Sequence, residues 1–236
     1  MNTVPLAALT SAVLLMAGAA GAKDGPVLTD TAWTEAPSFT DVAAAYPAAA
    51  KAKGLKGEVM LNCVFNGVGR LGTCETISES PGANGFAAAA RSLTGRFQGP
   101  VELPTGRTVA GVHAQIVFKF APDLLEARTV ARPEWTMLPT PAQFQSAFPD
   151  AASKAGVLKA KAVMNCAVTA GGGLTDCQVV SEDPPGYGFG AATLPLAGAF
   201  RLKTWTTDGR PVMGGVVRVP IRYDLKQAPL PEPARP

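Results

Sequence analysis

The chain has 236 residues, of which 47% are apolar and 17% charged, so it can bury a core and is not disordered overall. With 21 Lys and Arg against 18 Asp and Glu, the net charge of +3 is small and scattered, which excludes nucleic acid as the expected partner. One histidine and four cysteines restrict metal and redox chemistry, and 25 Gly with 21 Pro point to a turn-rich fold.

Residues 3–22 carry no charge, and an apolar stretch from Leu6 to Met16 runs into Ala20-Gly21-Ala22 ahead of Lys23, the pattern of an A-x-A cleavage site. The apolar core is short for a bilayer span, which needs about 20 residues. Residues 1–22 are therefore expected to be a signal peptide, and the mature chain to be exported. The n-region has no Lys or Arg, so a second reading keeps the leader as a membrane anchor. A segment of no assigned structure, 23–39, follows.

The cysteines fall into two pairs of equal spacing, Cys63 with Cys74 and Cys166 with Cys177, eleven residues apart in each case. Zinc sites use tight pairs such as C-x2-C and redox sites use C-x-x-C, and neither is present. In an exported chain equal local pairs read as disulfides, although four cysteines allow three connectivities.

Shifting the sequence by 103 lays Val59 to Pro81 on Ala162 to Pro184, with eight identities in twenty-three positions. Composition alone gives roughly two. The register continues through Phe86 with Phe189, Phe97 with Phe200, and Gly106-Arg107 with Gly209-Arg210. The chain is thus a doubled unit of small-domain size, placed at 40–121 and 139–225, with a linker at 122–138 and a Pro-rich tail at 226–236.

Each unit reads in the same order. Tyr46-Pro47 to Gly54 and Phe148-Pro149 to Gly156 predict a two-turn helix with Pro at its first position and Gly just past its end. Val59, Leu61, Cys63 and Phe65 alternate with Met60, Asn62 and Val64, which is a strand with Cys63 on its buried face. Asn66 to Arg70 and Ala170 to Gly173 are hairpin turns, and second strands follow through Cys74 to Ile77 and Cys177 to Val180. A bulge is expected between Leu71 and Cys74, where strict alternation breaks. Ala-rich helices come after Pro81 and Pro184, the second shortened or kinked by Pro195. Turns at Thr105-Gly106 and Asp208-Gly209 lead into closing strands, Val112 to Phe120 and Val216 to Tyr223. The expected fold class is α+β: two tandem αββαβ domains, each a three-stranded antiparallel sheet packed with two helices.

This order, with Tyr-Pro-x-x-Ala ahead of a Gly, Ser78 to Pro81 at the hairpin exit, Gly209 to Val212 at the turn and Val219 to Tyr223 at the end, resembles the C-terminal domain of TonB. The resemblance covers about two-thirds of the chain. It implies a periplasmic protein that binds proteins or peptides, linked to TonB-dependent transport across the cell envelope. In that family the closing strand lies near a sheet edge and a partner peptide adds to it, so Val112, His113, Ala114, Gln115, Ile116, Val117, Phe118, Lys119 and Phe120 are the implied peptide-binding edge. Pro220 lacks an amide donor, which makes the second unit the poorer acceptor. The hairpin cysteines and the missing long Pro-rich spacer depart from the family pattern.

Enzymatic readings find little support in the residues. Gly67 to Gly72 spells G-x-G-x-x-G, but a strand rather than a helix should follow it, so a plain turn is expected. His113 has no ligand partner at metal spacing and reads as a strand residue. Glu79 and Glu182 recur at the strand exits and form the one alternative, an envelope enzyme using loop carboxylates. No catalytic residue, metal or cofactor is assigned.

Overall fold

A computed structural model describes residues 26–224, so the expected signal peptide, 1–22, and the expected Pro-rich tail, 226–236, lie outside the described residues. In chain order the first part runs β1 (Val27–Leu28), α1 (Phe39–Ala45), α2 (Ala48–Ala52), β2 (Gly57–Phe65), β3 (Leu71–Ser80), α3 (Phe86–Leu93) and β4 (His113–Phe120). The second runs α4 (Pro122–Ala127), β5 (Trp135–Met137), α5 (Pro141–Ser146), α6 (Asp150–Lys154), β6 (Lys159–Val168), β7 (Leu174–Asp183), α7 (Phe189–Thr193), a 3-10 helix (Leu194–Ala199), β8 (Arg201–Leu202) and β9 (Val216–Asp224). The fold is mixed α+β.

The antiparallel trio predicted for each half is present, in order β4-β2-β3 in the first and β9-β6-β7 in the second. β1 extends the first sheet in parallel beside β4, while β5 and β8 form a separate two-stranded ribbon. The two hairpins repeat each other closely. Cys63 bonds Cys74 and Cys166 bonds Cys177, each disulfide crossing its hairpin. Register shifts at Cys63/Phe65 and Asn165/Ala167 give the expected bulge, and each hairpin carries a second shift nearer its open end.

Two local predictions need correction. The helix after Tyr46-Pro47 has only five residues, with Pro47 as its N-cap rather than its first turn, and α6 after Pro149 is the same. Each is preceded by a helix that the apolar pattern did not mark. Capping boxes start both of these: Ser38 accepts from the Asp41 amide and Thr140 from the Gln143 amide, with the Asp and Gln side chains returning the bond. Pro195 acts as expected, ending α7 after five residues and passing the chain into the 3-10 helix.

Matching aromatic triads fill the base of each half. Tyr46 meets Phe86 and Phe120 edge-on, and Phe148 and Tyr223 close on Phe189 in the corresponding places. The hydroxyl has moved between them: Tyr46 donates to the Leu55 carbonyl, while the Tyr223 hydroxyl pairs with Thr193 at 3.0 Å. Burial pushes both phenols up from their ordinary value. The buried residues of both halves belong to one continuous apolar cluster. The segments 23–39 and 122–138 contribute to it, since Trp33 packs on Phe97 at 4.7 Å and Trp135 on Phe200 at 5.1 Å. These tryptophans lie 102 apart, as do the capping boxes, so the repeat begins upstream of residue 40.

Candidate interaction site

A closing strand at the side of a sheet bonds inward on one side and must find partners, or water, on the other. On β4 the odd-numbered residues face away from β2. His113 donates its amide to the Pro26 carbonyl at 3.1 Å, and Lys119 donates to the Gly209 carbonyl at 2.7 Å. Between them the Val117 carbonyl accepts from the Trp205 indole N–H at 3.0 Å. The stretch Val112 to Phe120 is therefore not a free peptide acceptor. Its outer edge is taken by the N-terminal arm and by a loop of the second half, which corrects the expectation drawn for these nine residues.

That loop is a narrow finger, 202–211, closed by Trp205 pairing with Pro211 and by amide bonds from Thr206 to Arg210 and Gly209 to Thr206. Its tip needs glycine twice over. Gly209 has φ +88°, and a Cβ there would lie 2.6 Å from the Val117 carbonyl oxygen. The Trp205 ring sits 5.2 Å from Phe97 and 5.3 Å from Phe118, both residues of the first half. Lys203 fixes the base of the finger by pairing with Asp30 at 2.7 Å and Glu134 at 2.8 Å. Burial alone would raise the Glu134 carboxyl, but bonds from Lys203 and Thr207 outweigh it and hold that carboxyl below its ordinary range. For Lys203, burial works to lower the ammonium and its two carboxylate partners raise it on balance.

The second half offers the contrasting edge. Val216 donates to the Arg128 carbonyl at 2.7 Å and accepts from the Val130 amide at 2.9 Å, so even-numbered residues of β9 face outward. Arg218, Pro220 and Arg222 continue that side, all exposed, and among the described residues β9 pairs beyond Val216 with β6 alone. Neither arginine is in an ion pair among the described residues. The rows across the sheet sharpen the difference. Lys119, Glu58 and Ser80 align in the first half, whereas Arg222, Lys161 and Asp183 align in the second. Two rows further along, Gln115, Asn62 and Glu75 give way to Arg218, Asn165 and Gln178. The open edge is thus basic and the covered edge is not.

No protein-family model matches the chain. An uncharacterized protein of Caulobacter vibrioides is 31% identical over 88 residues, a match that takes in 34% of this chain and 88% of that protein. The chain belongs to the same family as this Caulobacter protein. The matched length is close to the size of one repeat.

The remaining candidates have structural duties. α3 and α7 start on glycines, Gly85 and Gly188, which have no side chain to cap them. The strand-exit carboxylates fill that role: Glu79 accepts from the Ala87 amide at 3.2 Å, and Glu182 from the Gly190 amide at 2.6 Å and the Gly186 amide at 2.8 Å. The Gly190 amide, with its neighbours, holds the Glu182 carboxyl below its ordinary range. His113 is paired with the Asn62 amide group at 3.0 Å on the sheet face. Gly67 to Gly72 forms the hairpin turn, in which the Asn66 side chain accepts from the Val68 and Arg70 amides. Trp33, Trp135 and Trp205 sit in no motif that marks them in the sequence, although Trp33-Thr34 and Trp135-Thr136 recur at a spacing of 102.

Proposed function

We propose that this protein is a non-enzymatic protein-interaction module of the cell envelope, a tandem of TonB C-terminal-like units working with components of TonB-dependent transport. The observation that carries the reading is the outer side of β9, where Arg218, Pro220 and Arg222 present backbone groups that no described residue bonds. Such an edge binds through main-chain hydrogen bonds and needs no reactive residue. Two local disulfides fit an oxidising compartment, and the motif order supplies the link to transport. Because β4 is covered, β9 is the contact surface assigned here.

A photo-crosslinker placed at Arg222 in the exported protein, followed by identification of adducts from envelope extracts, tests this. An adduct with an envelope transport protein, lost when Arg218→Glu is added to the crosslinker-bearing chain, is the expected result. Adducts indifferent to that variant, or none with any other protein, overturn it. N-terminal sequencing of the same material separates a cleaved leader, which leaves Lys23 first, from a retained anchor.

A further inference from the structure

Each half of the chain owns one finger and one outward edge, and among the described residues only one of each is matched. The finger 202–211 fills the edge of β4. Its counterpart, 99–108, repeats the same bonds, with Leu103 donating to Arg107, Gly106 to Leu103, and Glu102 bridging to Thr108. Its surroundings are different. Thr204, Trp205, Thr206 and Gly209 are buried, whereas Val101, Glu102, Thr105 and Gly106 are exposed, and a Cβ at Gly106 would meet nothing within 4 Å.

We infer that the unmatched finger of one chain, led by Glu102, docks on the unmatched β9 edge of a second copy between Arg218 and Arg222, so that the protein associates head to tail. The contact already inside the molecule shows what such docking requires. It uses the Lys119 amide as donor to the Gly209 carbonyl and the Val117 carbonyl as acceptor from the Trp205 indole; β9 keeps the first as the Arg222 amide, which the Gly106 carbonyl of the exposed finger can meet, while Glu102 has no N–H for the Pro220 carbonyl and reaches instead to the flanking arginines. Proline at 220 interrupts a regular added strand, which would want its amide, but costs a finger nothing. The charges have changed together. Where the buried finger carries Trp205, the exposed one carries Glu102, and where the covered edge has Gln115 and Lys119, the open one has Arg218 and Arg222. No ion pair engages Glu102 among the described residues. A contact between two different patches propagates from copy to copy, giving rings where the rotation closes and filaments where it does not. This association is a property of the purified chain and stands apart from the envelope partner, which would compete for the same edge.

Sedimentation velocity of the purified mature chain over a range of concentrations tests it. Association should grow with concentration and fall as salt is raised from low ionic strength. Glu102→Arg alone and Arg218→Glu/Arg222→Glu alone should each weaken it at least roughly tenfold, because each puts like charges in contact. Mixing the two variants should restore it, since each then offers the other an opposite charge. Both substitutions fall on exposed side chains, and unchanged near-UV circular dichroism confirms that the variants are folded. A chain that stays monomeric at every concentration overturns the inference, as does association that neither variant disturbs or that mixing fails to rescue. Envelope adducts at Arg222 from a strictly monomeric chain would sink this inference and leave the proposed function standing.

Discussion

Trp205 brings its indole to the Val117 carbonyl and its ring to Phe97 and Phe118, so its loss opens a cavity in the half of the chain to which it does not belong. Trp205→Ala should cost about 3–5 kcal/mol in urea unfolding, the range for truncating a buried aromatic. Trp205→Phe keeps most of the ring contact but strands the carbonyl, and should cost about 1–3 kcal/mol. An Ala variant within about 1 kcal/mol of the parent would mean that the finger is a passive cover. Glu182 makes a different kind of prediction. Its carboxyl is held below its ordinary value of 4.5 by the Gly190 and Gly186 amides in the folded chain. Its contribution is therefore present above that value and is lost as pH falls through the lowered folded value. Thermal melts of the parent and Glu182→Gln should differ at neutral pH and converge in acid; a constant difference would refute the capping role.

At the level of elements, each hairpin is closed by a short disulfide loop and covers a modest core. Removing one bridge with Cys166→Ala/Cys177→Ala should cost about 2.5–3 kcal/mol, read from the urea midpoint. The same change at Cys63 and Cys74 should cost a similar amount, because the two loops are of equal length. A much smaller loss in one hairpin would show that its reduced form keeps loop order in the unfolded state. The alternation of β2, the turn glycines and the early stop at Pro195 were legible in the sequence because each is a local rule of spacing or torsion. α1 and α5 were not, since seven and six residues are too few for a helical period to show. Their one clear signal is the capping box, S-F-T-D in the first half and T-P-A-Q in the second.

Across the whole molecule, one apolar cluster runs through both halves, and the finger, Lys203 and the Phe39 amide bond to Met213 tie them together. The described residues should therefore unfold in a single calorimetric transition. Gly209→Ala, which forces a side chain against the Val117 carbonyl at a left-handed backbone position, should lower the melting temperature and separate two transitions. Two transitions in the parent protein would mean that the contact between halves contributes little.

The doubled unit, the disulfide pairing and the strands were written into residue order, because repeats, cysteine spacing and side-chain alternation are properties of neighbouring residues. Which of the two closing strands stays open was decided only in three dimensions. A tryptophan in a tight turn has the same local signature whether it packs in its own unit or reaches into the next. The covering of β4 depends on segments about ninety residues apart in the chain meeting at one edge, and no periodicity records such a meeting.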